Sequence, residues 1–299
     1  MTGVFVLDKP AGFTSFDAVA VLRGLLGERK IGHTGTLDPM ATGVLPLLLG
    51  KATRALPFLE ERRKSYEAEF ALGRATDTLD STGQTLKTDE TPVSREMLEG
   101  ALPRFRGAIE QVPPMFSALR QDGVRLYDLA RQGKTVARAP RPVTIFALTL
   151  LDYNEAQRTG RLAVTCSGGT YIRTLIDDLG RAVGSHGVMT ALRRTAASGF
   201  TLADAVTMDE ARRMQRAELS ARVLPVETLF ADLPAVAVSA AQARRFLTGG
   251  ALDLQRLSAR PAGLCRVHAP GGGFLGLGAP DAAGESLRVQ RLFGDETVK

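Results

Sequence analysis

The sequence predicts an α+β fold, and three observations carry that reading. Helical and strand patterns mix along the chain without a regular βαβ repeat. Tyr66, Ala68, Phe70 and Leu72 alternate with Glu67, Glu69 and Ala71, the period of a half-buried strand. Around Phe230 to Pro234 the texture changes to short apolar runs between glycines, which marks a domain boundary and a small β-rich unit after it.

The elements follow in order. Val4 to Leu7 is a continuous apolar run, a short buried strand ended by the Asp8-Lys9-Pro10-Ala11-Gly12 turn. Thr14 and Asp17 form a capping box that opens a helix with Phe16, Val19, Leu22 and Leu26 on its buried face, and Gly27 closes it. Thr76 to Thr91 is polar and reads as a loop or excursion. Ser94 to Leu102 and Tyr127 to Gln132 read as helices, Val143 to Leu151 and Leu162 to Cys166 as strands. Ile172, Leu175, Ile176, Leu179 and Val183 keep helical spacing up to Gly184, with Gly180 inside at a small cost. Beyond the boundary, Ser239 and Gln242 cap a helix to Leu247, and short strands alternate with glycine turns at 271–273 and 276–278.

Composition narrows the function classes. With 44% hydrophobic and 23% charged residues over 299 positions, the chain suits one large soluble domain or two unequal ones. A net charge of +6 favours a polyanionic partner, because clustered Lys and Arg displace counterions from phosphates. Cys166 and Cys265 share the chain with only His33, His186 and His268 and have no C-x-x-C spacing, so neither a zinc site nor a disulfide framework is signalled. The first ten residues lack the pattern of a secretion signal, and the run from Val44 to Leu49 is too short to span a membrane, so a reducing cytoplasm is the expected location.

Gly32 to Gly43 (GHTGTLDPMATG) packs glycines, threonines, His33 and Asp38 into one segment between a helix and an apolar run. By spacing alone, Asp38 either starts a turn before Pro39 or is presented for chemistry. Gly50-Lys51-Ala52-Thr53 hints at a phosphate loop, but Leu45 stands where the earlier glycine is required and Ala52 follows the lysine, so an NTPase is excluded.

Several blocks in consistent order then stand out: Asp8-Lys9-Pro10, the 32–43 segment, Lys64-Ser65-Tyr66, RATDTLDSTG at 74–83, Pro113 to Ala118 (PPMFSA), and CSGGTYIR at 166–173 followed by Asp177-Asp178-Leu179-Gly180. Together they resemble the TruB family, the bacterial tRNA pseudouridine-55 synthases, over roughly residues 3 to 230. The resemblance implies a pseudouridine synthase fold with a mixed, largely antiparallel central sheet, a catalytic domain over 1–232, and an RNA-binding, PUA-like domain over 233–299. It implies isomerisation of uridine in the T loop of tRNA without a cofactor or metal, by a monomer that requires no protein partner.

By the same resemblance Asp38 is the nucleophilic carboxylate, and Arg173 is the cation that keeps it charged in a site emptied of water. Arg173 and Asp177 are i and i+4, so a local pair is the alternative, and Asp177 and Asp178 are candidates to share or orient the arginine. Tyr66 is expected to stack on uracil and reach a proton, although the alternation alone would place it in the core. Tyr171 and Leu192 line the base pocket. A uridine inside a folded stem-loop has to be extruded, and His33 is the candidate to fill the gap it leaves. Lys9 and Thr36 are expected to contact RNA. Arg120, Arg125, Arg131, Lys134, Arg138 and Arg141, opposed only by Asp122 and Asp128, form a basic thumb insertion over about 118–142 for phosphate contacts. One departure is noted: where the family carries Gly-Ala-His, this chain reads Ser185-His186-Gly187-Val188, so His186 receives no role. Two alternatives stand beside this reading, the catalytic subunit of a guide-RNA pseudouridylation particle and a non-catalytic tRNA-folding or RNA-binding protein.

Overall fold

The computed structural model describes residues 1–59, 63–121 and 123–294. Asp122, one of the two acids set against the basic thumb, lies outside the described residues. Nine strands supply most of a large mixed sheet: β1 (Gly3–Lys9), β2 (Ile31–His33), β3 (Thr42–Leu49), β4 (Lys64–Leu72), β5 (Gly107–Gln111), β6 (Arg141–Asn154), β7 (Thr159–Cys166), β8 (Gly187–Ala197) and β9 (Val206–Thr207). Their spatial order is β9-β1-β3-β8-β4-β7-β6-β5, with β2 added beside β3. The pairs β1–β9 and β3–β8 are parallel and the others antiparallel.

This order places chemistry at the middle of the sheet. β3 runs between β1 and β8, so Gly43 faces Lys9 on one side and Arg194 on the other. Gly43 has φ +106°, and a Cβ there would collide with the Arg194 carbonyl, which is why the motif ends on glycine.

Both faces of the sheet are covered. Phe5 and Leu7 of β1 join one core with Val19, Leu22 and Leu26 of α1 (Ser15–Leu26) and Leu175, Ile176 and Leu179 of α4 (Ile172–Ala182). Val4 and Val6 face a second core with Leu48, Leu229 and Phe230. The unbroken apolar run at 4–7 therefore has no solvent face, as its composition requires. Short helices α2 (Arg95–Ala101), α3 (Leu126–Arg131), α5 (Met208–Arg213) and α6 (Arg216–Ala221) lie between the strands. The capping box at Thr14 and the left-handed Gly27 bound α1 as read from sequence. Phe16 does not: it is 67% exposed, because α1 buries only the Ala18, Val19, Leu22 and Leu26 stripe.

The polar 76–91 stretch contains a small hairpin in which Arg74–Thr76 pairs with Thr85–Thr88. Gly180 is more than a tolerated cost: a Cβ there would press on the backbone of Gly187, so the glycine lets α4 lie directly on β8.

The C-terminal β-rich domain is a five-stranded sheet of β10 (Ala235–Ala237), β11 (Leu252–Asp253), β12 (Cys265–His268), β13 (Phe274–Pro280) and β14 (Ser286–Leu292), with α7 (Ala240–Leu247) beside it. The Ser239–Gln242 capping box opens α7. The 276–278 glycines, expected in a turn, lie inside β13, where a side chain at Gly276 would strike the Arg291 carbonyl of β14. Phe230 joins the two sheets, its ring 5.8 Å from Phe293, 6.5 Å from Phe274 and 6.5 Å from Phe58. No helix among the described residues is long and apolar enough to cross a membrane.

Phe230 is fully buried at this junction. Phe230→Ala should cost about 3–5 kcal/mol in urea denaturation, since truncation opens a cavity that rigid strands on both sides cannot fill.

Candidate active site

The 34–41 segment is held from behind before any chemistry is considered. Lys9 is fully buried, and its ammonium donates to the carbonyls of Pro10 (2.8 Å), Phe13 (2.6 Å) and Pro39 (3.4 Å). Burial lowers its pKa to about 8, with Asp38 opposing that shift. The expectation that Lys9 contacts RNA is therefore corrected: its charge faces backbone, not solvent. Ser15 Oγ accepts from the Leu37 N–H (2.8 Å), and the Gly12 N–H donates to the Pro39 carbonyl (2.8 Å). These bonds fix the two neighbours of Asp38.

Asp38 meets Arg173 across 135 residues of sequence. Arg173 Nε lies 2.9 Å from Asp38 Oδ2 and Nη2 donates to Oδ1 at 3.1 Å, a forked pair. The remaining guanidinium donors are also engaged: Nη2 with the Phe116 carbonyl (2.9 Å) and Nη1 with the Thr78 carbonyl (2.9 Å), with Asp80 Oδ2 3.7 Å from Nη1. The Arg173 side chain is only 6% exposed, whereas Asp38 keeps 32% exposure toward the cavity. Asp177 instead pairs with Arg181 at 2.9 Å, so neither the local i,i+4 pair nor an orienting role for Asp177 on Arg173 is realised.

Asp80 was not singled out from sequence. Its Oδ1 accepts from the Thr78 hydroxyl (2.8 Å), the Thr82 N–H (3.0 Å) and the Thr82 hydroxyl (2.6 Å). This turn holds Leu79 at φ +61° and presents the Thr78 carbonyl to Arg173. The threonines flanking Asp80 in TDTLDST were the available signal.

A cavity of about 290 Å³ opens over this pair, lined among others by Asp38, Lys64, Tyr66, Tyr171, Arg173 and Leu192. That is the small end of the ~300–1,000 Å³ usual for ligand pockets, room for one nucleoside. Tyr66 belongs to the core and to the cavity wall at once. Burial raises its phenol pKa, with Arg194 beside it opposing. Tyr171 caps α4; its N–H donates to Gln111 Oε1 (2.9 Å) and its carbonyl accepts from Gln111 Nε2 (3.2 Å). Leu192 sits on β8 opposite Ala68.

Arg194, two residues on, is fully buried, its Nε on the Val44 carbonyl (2.7 Å) and its Nη2 on the Gly35 carbonyl (3.1 Å). His33 ends β2 half-buried outside the cavity wall; its Nδ1 accepts from the Gly35 N–H (3.3 Å), and burial, then Arg194 and Lys64, lower its pKa. With Nδ1 accepting, the neutral form of the ring, which burial favours, carries its proton on Nε2.

Thr36 is exposed at the cavity mouth. In the thumb, Arg125, Arg131 and Lys134 are exposed, and Arg125 and Arg131 flank the Tyr127 ring at 5.6 and 5.4 Å. Arg141 is exposed beside Tyr171 in a neighbouring cavity. Arg138 is half-buried and donates to the Pro113 carbonyl (3.1 Å), which ties the thumb base down rather than leaving that cation free.

Chemically, a partly desolvated carboxylate held ionised by a forked guanidinium suits nucleophilic or general-base work. Burial raises the Asp38 pKa above its ordinary value, Arg173 opposes this, and Asp80 adds to it.

Comparison with known proteins agrees. One chain of a Cbf5–Nop10–Gar1 complex superposes with a TM-score of 0.74 at 25% identity, covering 98% of this chain and 85% of that one. A chain from an H/ACA RNP bound to a substrate RNA containing 2'-deoxyuridine gives 0.73 at 23% identity, over 99% and 86%. The fold is that of the pseudouridine synthases. Family models described as TruB family pseudouridylate synthase (N terminal domain), tRNA pseudouridylate synthase B C-terminal domain, and Pseudouridine synthase II TruB, C-terminal match residues 23–172, 173–231 and 234–293. The tRNA pseudouridine synthase B of Dechloromonas aromatica is 45% identical over 94% of this chain and 92% of its own, and that of Ralstonia nicotianae 46% over 97% and 93%. The chain belongs to the TruB family of pseudouridylate synthases.

Removing Arg173 takes away the main influence holding the Asp38 pKa down, so Arg173→Gln should move its titration further up, while Asp80→Asn should move it down. Carboxyl ¹³C NMR of the two variants across the acid range checks these opposite signs.

Proposed function

We propose that the protein isomerises uridine 55 in the T loop of tRNA to pseudouridine. The observation that carries the reading is the forked Asp38–Arg173 pair at the wall of a nucleoside-sized cavity between Tyr66 and Tyr171. In the reaction the bond from ribose C1' to uracil N1 breaks, C1' bonds to C5, C5 loses its proton and N1 gains one. Nothing is oxidised or reduced, so a carboxylate nucleophile suffices without a cofactor. Asp38 attacks, Arg173 keeps it charged, Tyr66 stacks on the base and serves the proton transfers, and Tyr171 and Leu192 close the pocket.

The target base has to leave its stack to enter this cavity, and His33, neutral and beside the motif loop, fills the space it vacates. Arg125, Arg131 and Lys134 of the thumb grip T-arm phosphates, with Arg141 and Thr36 nearer the cavity. Residues 1–232 form the catalytic domain and 233–299 a PUA-like RNA-binding domain. The enzyme acts as a monomer on bare tRNA in the cytoplasm. Identity of 45–46% to synthases named for tRNA, against 25% to the chain of the Cbf5–Nop10–Gar1 complex, supports this over a guide-RNA particle subunit.

Incubation of a T-arm minihelix with wild-type protein, followed by pseudouridine mapping, should give conversion at position 55. Asp38→Asn should lose it by about 10⁴-fold or more, as removal of a covalent nucleophile does; conversion by this variant at the wild-type rate would overturn the assignment.

A combined Arg125→Ala, Arg131→Ala, Lys134→Ala variant should bind the minihelix with a log Kd against log salt slope reduced by about 2–3. Its single-turnover rate at saturating protein should match wild type.

A further inference from the structure

We propose that Lys64 is a charge-stabilising group on the target base, placed to meet the negative charge that the uracil ring acquires only during reaction. The proposal deepens the reading above and rests on it.

Lys64 opens β4 and shares a strand face with Tyr66 by the two-residue period, so it lies toward the base end of the cavity it lines. Its ammonium rests against Gly35 of the motif, 2.8 Å from where a Cβ on that glycine would stand. Any side chain at position 35 would displace it. The groups around it are Arg194 on β8, Cys166 on β7 and His33 on β2. None supplies a negative charge: Cys166 is a buried thiol whose pKa is pushed up to about 11, and His33 is neutral. Among the described residues no carboxylate or carbonyl accepts from the Lys64 ammonium, and the charge of Asp38 is taken up by Arg173.

Arg194 sharpens the imbalance. It is fully buried beside the Tyr66 hydroxyl, and its Nη1 has no hydrogen-bond partner. Lys64, half-buried at the cavity wall, and Arg194, buried behind it, thus lie together with no counterion among the described residues, an arrangement that is unfavourable in the protein alone. The missing anion is chemically defined. If Asp38 attacks C1', the electron pair of the C1'–N1 bond departs with uracil and spreads over N1 and the two carbonyl oxygens. If it attacks C6 of the ring, the pair of the C5–C6 double bond moves onto the C4 oxygen. On either route the ring becomes anionic; it is neutral again once C5 has bonded to C1' and Asp38 has left, and the proton then lost from C5 is matched by the one gained at N1. A partly desolvated ammonium acts strongly on such a charge and contributes little to binding neutral uracil, so its effect belongs in the rate rather than the affinity. A backbone phosphate, charged before and after reaction, would give the reverse.

The test compares wild type with Lys64→Gln and Lys64→Met, using a T-arm minihelix, single-turnover pseudouridine formation at saturating protein, binding measured separately, and thermal melting. The expected result is a rate lower by about 10²-fold, a Kd within a few-fold of wild type, and a melting temperature unchanged or raised, because a half-buried cation beside Arg194 has been removed. Three outcomes overturn it: an unchanged saturating rate; a loss confined to Kd with a salt slope smaller by about 0.7–0.9, the mark of a phosphate contact; or a rate loss accompanied by a lowered melting temperature, the mark of a structural lysine. Wild-type protein forming no pseudouridine overturns the activity itself and this assignment with it, whereas active wild type matched by Lys64→Gln overturns this assignment alone.

Discussion

Arg173 is the point on which the site is built. A guanidinium 6% exposed is tolerable only where acceptors and opposite charge surround it, and here Asp38 and the carbonyls of Thr78 and Phe116 accept from it while Asp80 lies 3.7 Å away. Those acceptors come from three separated segments, 32–43, 74–83 and 113–118, and the arginine itself from a fourth. Four of the ordered blocks seen in sequence thus share one physical cause: three supply oxygens to the same cation and the fourth carries it. The sheet brings these segments close, α4 supplies the arginine, and the glycine contact between α4 and β8 sets the depth of the helix.

Around that centre the protein keeps an excess of buried positive charge. Lys9 and Arg194 are solvated by backbone carbonyls rather than carboxylates, which ties loop geometry to charge: the Pro39 and Phe13 carbonyls hold Lys9, and the Gly35 and Val44 carbonyls hold Arg194. Carbonyls turned inward toward these cations leave the opposite side of the 34–41 segment for Asp38 and Thr36 to line the cavity. Stability alone would favour apolar residues at 9 and 194.

What could be read from sequence was set by how local the cause is. Capping boxes at Thr14 and Ser239, the stop at Gly184 and the alternation through Tyr66 depend on neighbours within a few residues, and all appear in the structure. The sequence shows no strand at β8, because two arginines follow Leu192 and break the apolar alternation; Arg194 is buried only because β3 and β4 lie on either side of it. Lys9 was placed on the RNA side for the same reason, since a lysine before a proline gives no sign that three carbonyls will surround it. Phe16 satisfied helical periodicity yet points to solvent, because periodicity defines a stripe but not its edges. Asp80 was hidden inside a polar stretch, its role depending on an arginine 93 residues later, from 80 to 173 in the numbering.

The partial exposure of Asp38 carries the last step. The carboxylate is open to solvent on its cavity side, and burial of the rest already raises its pKa. A base entering a cavity of about 290 Å³ displaces that solvent, which strengthens the burial effect and the attraction of Arg173 together. The first works toward neutralising the carboxylate; only a cation that is already fixed, requiring no reorientation as solvent leaves, can offset it. The carbonyls of Thr78 and Phe116 provide that fixation. The charge state of Asp38 therefore depends on two turns that never touch it, and the 74–83 segment is as much a part of the candidate site as the loop that carries the carboxylate.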